Sequence, residues 1–271
     1  MSNLHVHQLM LALQQGPAVL VSVHDVQGSG PREVGAWMAV LAAEVINTIG
    51  GGNLEFQAID EARQMLGGAG TVTRRYPLGP SLGQCCGGVV QLRFEPVAPA
   101  DAPALAQRLQ ARFTPVALFG GGHVGKALVQ VLGTLPLSVT WVDSRDQIFP
   151  ADVPFNVTCE HSDPVQAAVA DLPSGAHVLI MSFSHAEDLD VVAACLRRLR
   201  ERNDLPCIGL IGSKSKWAAF RHRLEERGFS AAELARITSP IGLPGITGKQ
   251  PEVIAVSVAA QLLQALPAGK P

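Results

Sequence analysis

Charge is scarce in this chain. Asp, Glu, Lys and Arg make up only 16% of its 271 residues and nearly cancel, leaving a formal net charge of −2, so there is no basic field for nucleic acid or an anionic membrane surface. No apolar run reaches the roughly 18 residues that cross a bilayer, and the N-terminus has no basic stretch leading into an apolar one. Five cysteines, an odd number without a spaced framework, read as reduced thiols. These absences together predict a globular cytoplasmic protein whose partner is a small molecule or another protein. Several catalytic signatures are missing as well. H-E-x-x-H and paired Cys/His zinc spacings do not occur. Gly248-Lys249 lacks the Ser or Thr of a phosphate-binding P-loop, since Gln250 follows and Leu243 stands where the earlier glycine belongs. Gly79-Pro80-Ser81-Leu82-Gly83 spells a nucleophile elbow, but Pro80 and the glycines that follow do not make the strand, turn and helix an elbow needs.

What is present is apolar and ordered. Hydrophobic residues make up 47% of the chain, enough for two modest domains or one large one. Pro115 to Asp143 organises the whole: an apolar strand at Val116–Phe119, a glycine turn, a helix from near His123 and a β-branched strand ending in Asp143. Gly120, Gly122 and Gly125 fit G-x-G-x-x-G, whose glycines permit the turn, admit a phosphate to the backbone, and let helix and strand pack closely. The helix N-terminus offers unpaired N–H donors and a positive dipole end. Asp143 stands about twenty residues on, where such units keep a carboxylate for ribose-type hydroxyls. The competing reading is a βαβ turn that binds nothing. Arg145, two residues further, is either an anion partner or a solvated loop arginine.

Before this unit, the pattern predicts a helix over Leu4–Leu13, a strand over Ala18–Val23 ending at His24-Asp25, and a second apolar stretch at Ala36–Leu41. Between them Gly28–Gly35 is a loop carrying Arg32, either an anion contact or a surface residue. Thr48-Ile49-Gly50-Gly51-Gly52-Asn53-Leu54-Glu55, leading into a helix to about Leu66, is a second candidate anion cradle, with Glu55 there to complement the helix dipole. Strands at Thr71–Arg75 and Val89–Phe94 flank Cys85-Cys86-Gly87-Gly88. Vicinal thiols beside glycines are either soft ligands and nucleophiles or two small buried residues. Pro96 to Pro103 reads as a linker, followed by a short helix near Leu105–Arg112.

Beyond Asp143 strands and helices keep alternating: Phe155–Cys159, a helix after Pro164, His177–Met181, Glu187–Arg200, Cys207–Ile211, Lys214–Arg227, and a final helix opened by Pro251. The expected fold is therefore α/β, with a C-terminal Rossmann-like doubly wound parallel sheet (113–271), a linker and short helix (96–112), and a smaller N-terminal α+β domain (1–95). Ligands bind outside the carboxyl ends of such strands, which puts Ser182-Phe183-Ser184-His185 and Gly212-Ser213-Lys214 on the rim. His185 is there either a proton donor or a strand-end cap.

Seven blocks in this order, GSGPREVGAWM, TIGGGNLE, LGQCCGG, FGGGHVG, VDSR, IGSKSK and SPIGLPGITGKQPEVIAVSV, resemble the XdhC family, the xanthine dehydrogenase accessory proteins. The resemblance implies a non-enzymatic chaperone that carries molybdenum cofactor (molybdopterin with its metal), protects it, accompanies its sulfuration by a cysteine desulfurase and delivers it to apo-xanthine dehydrogenase, working as a homodimer. On that reading Gly120, Gly121, Gly122, His123 and Gly125 cradle the cofactor's phosphate, Asp143, Arg145 and His185 meet its polar groups, and one of Cys85 and Cys86 is a molybdenum ligand. The Rossmann unit alone would favour an NAD(P)-dependent oxidoreductase, and a nucleotide-sensing binding module is the third reading.

Overall fold

The computed structural model describes residues 3–79, 88–109 and 113–266, which divide into two compact units, the first of residues 3–79 and 88–109 and the second of residues 113–266. The first unit is an antiparallel sheet of β1 (Ala18–Gln27), β2 (Trp37–Val40), β3 (Val45–Asn47), β4 (Val72–Pro77) and β5 (Val89–Val97), in the order β3-β2-β1-β5-β4. Helices lie on both faces: α1 (Asn3–Leu13) and α3 (Ala102–Leu109) on one, α2 (Gly52–Gln64) on the other. The two-residue period of β1 explains the layering. Val19, Val21 and Val23 pack with Leu54, Ala58 and Ala62 of α2, whereas Ala18 and Leu20 pack with Leu9, Leu13 and Leu105.

Two local expectations differ here. β1 does not stop at His24-Asp25. A register shift between Val23 and Asp25 inserts one extra residue, and the strand runs on to Gln27 against β5, as a bulge allows. The proline-rich stretch 96–103 is not free chain either. Pro96 still pairs with Val19, beyond the reach of β4, where a missing N–H costs nothing, and α3 buries Leu105 in the first unit's core.

The second unit is a parallel sheet of β6 (Thr114–Phe119), β7 (Leu137–Asp143), β8 (Val157–His161), β9 (His177–Ile180), β10 (Ile208–Leu210) and β11 (Ile237–Thr238), in the order β11-β10-β9-β6-β7-β8. Val116 and Leu118 of β6 face α4 (His123–Leu132) and α8 (Pro251–Ala265), burying Leu128, Leu132, Val258 and Leu262. Ala117 and Phe119 face the other way, towards α5 (His185–Arg202) and α6 (Lys214–Glu226), with Val192, Leu196, Phe220 and Leu224. A short α7 (Ala231–Leu234) follows. Burial on both faces is what makes the strands continuous apolar runs. The helix expected after Pro164 is a 3-10 segment, Val165–Asp171, and it ends at Leu172, which is held extended before Pro173.

From β6 the chain winds outward through β7 and β8, then returns to the other side of β6 for β9, β10 and β11. This is the doubly wound Rossmann order, and its reversal point lies between the carboxyl ends of β6 and β9, where a crevice forms by topology alone. No helix among the described residues is long and apolar enough to cross a membrane.

Candidate functional site

Three loops meet at that reversal point: the glycine turn after β6, Asp143 to Arg145 after β7, and Met181 to Ser184 after β9. The turn is closed by sterics. Gly120 has φ of 122°, and a Cβ there would lie 2.0 Å from the Met181 carbonyl oxygen. At Gly125 a Cβ would lie 2.0 Å from the Gly120 carbonyl oxygen, which instead accepts the buried Trp141 indole N–H at 2.9 Å. Gly120 also donates to the Val142 carbonyl at 2.8 Å. Gly122 differs from both: nothing lies within 4 Å of the place its Cβ would take. It is the N-cap of α4 and supplies no capping side chain, so the first N–H groups of that helix receive no side-chain cap from it. His123, in the first turn, is exposed.

Asp143 is 2% exposed, and its carboxylate is fully engaged. Oδ2 accepts the Gly121 N–H at 2.5 Å and Arg145 Nη2 at 2.8 Å, while Oδ1 accepts the Arg145 backbone N–H and Nε, each at 2.9 Å. Four bonds use up the four acceptor positions of a carboxylate. Burial by itself would raise the Asp143 pKa, but the Arg145 guanidinium and the two backbone N–H groups outweigh it and hold the carboxyl below its usual range. The residue expected to reach a ribose-type hydroxyl is thus turned inward. It ties the glycine turn to Arg145.

Arg145, with its plane fixed by that fork, lies over the Phe183 ring at 4.4 Å from the centroid. The loop that carries Phe183 is pinned on both sides. Ser182 donates its backbone N–H to Asp188 Oδ1 at 2.7 Å, and Ser184 caps α5 through a reciprocal pair with Glu187. Glu187 also accepts the Ser144 hydroxyl at 2.5 Å, joining this loop to the one after β7. Asp188 Oδ2 takes Lys216 Nζ at 2.5 Å, both side chains being nearly buried, and Lys216 also donates to the Ile211 carbonyl at 2.9 Å. Lys216 therefore draws the loop after β10 into the site. Lys214, which the sequence placed on the rim, lines a separate cavity of about 360 Å³ with Pro240, Gly242, Gly248 and Ser257. The one signal for Lys216 was its place three residues after Ser213, the N-cap of α6, which turns it back over the strand end. His185 is exposed, and its ring meets the edge of Phe220 at 6.3 Å.

The candidate sites of the first unit are held by the chain itself. The second cradle contains Glu55, whose Oε2 accepts the Ile49 and Gly51 N–H groups at 2.9 and 3.1 Å and the Thr48 hydroxyl. Arg32 pairs with Glu33 at 3.0 Å and donates to the Thr48 carbonyl at 3.4 Å. Cys85 and Cys86 lie outside the described residues. The flanking residues do meet: Leu78 donates to the Gly88 carbonyl at 2.7 Å, and a Cβ on Gly88 would lie 2.3 Å from the Ser29 carbonyl oxygen.

A doubly wound parallel sheet with a glycine turn at its reversal point defines a Rossmann-type fold. Residues 116–262 match the XdhC Rossmann domain and residues 11–77 match the XdhC and CoxI family; the chain belongs to the XdhC family. The uncharacterized protein YqeB of Escherichia coli K12 is 26% identical over 269 residues, covering 97% of this chain and 46% of its own. The chain thus spans about half the length of that relative. A crystal structure from Bacillus halodurans described as a xanthine dehydrogenase shares the fold, with a TM-score of 0.80 and 20% identity over 98% of this chain and 96% of that one.

Proposed function

We propose that this protein carries molybdenum cofactor as cargo, protects it, supports its sulfuration by a cysteine desulfurase and passes it to apo-xanthine dehydrogenase, with no turnover of its own. Membership of the XdhC family supports an accessory role in xanthine dehydrogenase maturation. The observation that carries the finer reading is Gly122, the glycine of the turn with open space at its Cβ position, at an uncapped helix N-terminus. Molybdopterin ends in a phosphate, and such a terminus receives a phosphate through its N–H groups and dipole. Gly120, Gly121, Gly122, His123 and Gly125 would form this cradle, with Arg145 and His185 on its rim and Asp143 holding Arg145 in place. Cys85 or Cys86 is the soft thiolate that the sequence offers the metal.

The inward turn of Asp143 favours this reading over a nicotinamide dinucleotide. A ribose would need an acceptor whose positions are already filled. Titration of the full chain with released cofactor, and in parallel with NAD(H) and NADP(H), tests the choice by absorbance. The expected result is saturable binding of cofactor and no reaction with the nicotinamides. Nicotinamide turnover on the order of 1 per second or faster would overturn it.

A further inference from the structure

We propose that Phe183 is a stacking platform for a flat heteroaromatic ring, and that the ring it takes is the pterin of the cargo. The inference rests on the cofactor reading above and deepens it by assigning the part of the ligand that this residue recognises. Phe183 is 66% exposed, the most of any aromatic side chain among the exposed large hydrophobics of the second unit, where Phe155 is 46% exposed and Phe119, Trp141 and Phe220 are buried. An apolar ring in water is unfavourable by the area it exposes, so a loose loop would fold it away. This loop is not loose. Ser182 is held by Asp188, Ser184 by Glu187, and Asp188 in turn by Lys216. The phenyl ring is consequently presented from a fixed stretch of backbone at the carboxyl end of β9.

One face of the ring is already assigned. The Arg145 guanidinium lies 4.4 Å from its centroid, and the bidentate fork to Asp143 sets the guanidinium plane. A cation on one face leaves the other for a planar π-system, and base-like heterocycles stack on aromatic side chains whatever their edge chemistry. The place is apt as well. Gly120 packs against Met181 and Ser182, so the platform begins beside the glycine turn, and a ligand whose phosphate enters at Gly122 has its ring system within this crevice.

The test uses the full chain and a free pterin without phosphate or metal, 6-hydroxymethylpterin, followed by quenching of its fluorescence, with adenosine monophosphate as a second planar ligand and inorganic phosphate as a third. For Phe183→Ala and Phe183→Leu, pterin affinity is expected to fall about tenfold or more. Phe183→Trp is expected to retain it, and phosphate binding to stay at the parent level in all three. Pterin binding by Phe183→Ala equal to the parent's overturns the proposal, as does a parent that prefers adenosine monophosphate to the pterin. Retention of released cofactor is measured separately in the parent and in Phe183→Ala. If Phe183 governs pterin binding but the parent does not retain cofactor, the cargo reading fails and the platform stands; if parent and Phe183→Ala retain cofactor equally, the cargo reading stands and the platform fails.

Discussion

Gly120 and Gly122 stand two residues apart in one turn and answer to different demands. At Gly120 a side chain would meet the Met181 carbonyl and the backbone has positive φ, so Gly120→Ala should destabilise the protein by about 3 kcal/mol or more, read from denaturant midpoints. At Gly122 a side chain meets nothing. Gly122→Ala is expected to fall within about 1 kcal/mol of the parent in the same titration, and a large loss there would mean that the turn is structural throughout. Asp143 carries a pH signature. Its folded pKa is lowered, so its contribution is present above the unfolded value of about 3.9 and disappears as pH falls through the folded value. The stability gap between the parent and Asp143→Asn should accordingly be widest near neutrality and narrow on acidification below about pH 4. A gap independent of pH would mean that the fork to Arg145 does not set the ionisation of Asp143.

At the scale of elements, the crevice depends on how α5 and α6 are tied to the strand ends. Ser184→Ala removes the cap of α5 and should cost about 1 kcal/mol. Asp188→Ala strands Lys216 in a nearly buried position and should cost about 3–5 kcal/mol. Replacing both partners, as in Asp188→Leu with Lys216→Met, should recover much of that loss. A double variant as unstable as Asp188→Ala in urea titration would contradict the pairing.

The elements were legible in the sequence wherever periodicity and punctuation agreed. β6, the glycine turn, α4 and β7 follow from apolar runs and three glycines, and Pro251 opens α8 as expected. The failures have physical causes. β3 and β11 are three and two residues long, too short to show a period, and the bulge in β1 follows from its pairing with β5 rather than from its own residues. Within the site, spacing located Asp143 but not its orientation, because the four bonds that turn it inward come partly from Gly121, in the turn after the neighbouring strand β6. Glu55 is the converse case: a loop that reads as an anion cradle is one, and the anion is the chain's own carboxylate.

For the whole molecule, the reading is of a carrier whose two units are built differently, one antiparallel and one doubly wound. A carrier delivers what it holds. Xanthine dehydrogenase activity recovered from apo-enzyme should therefore rise in proportion to the amount of loaded protein added and stop when the load is spent. Recovery that continues catalytically from a trace of the protein would contradict carriage. The most direct measurement is molybdenum and pterin content per chain, compared between the parent and Gly122→Val after both are purified from cofactor-replete cells and shown by thermal melt to be folded. The account predicts cofactor in the parent and little in the variant. Equal cofactor in both would contradict it.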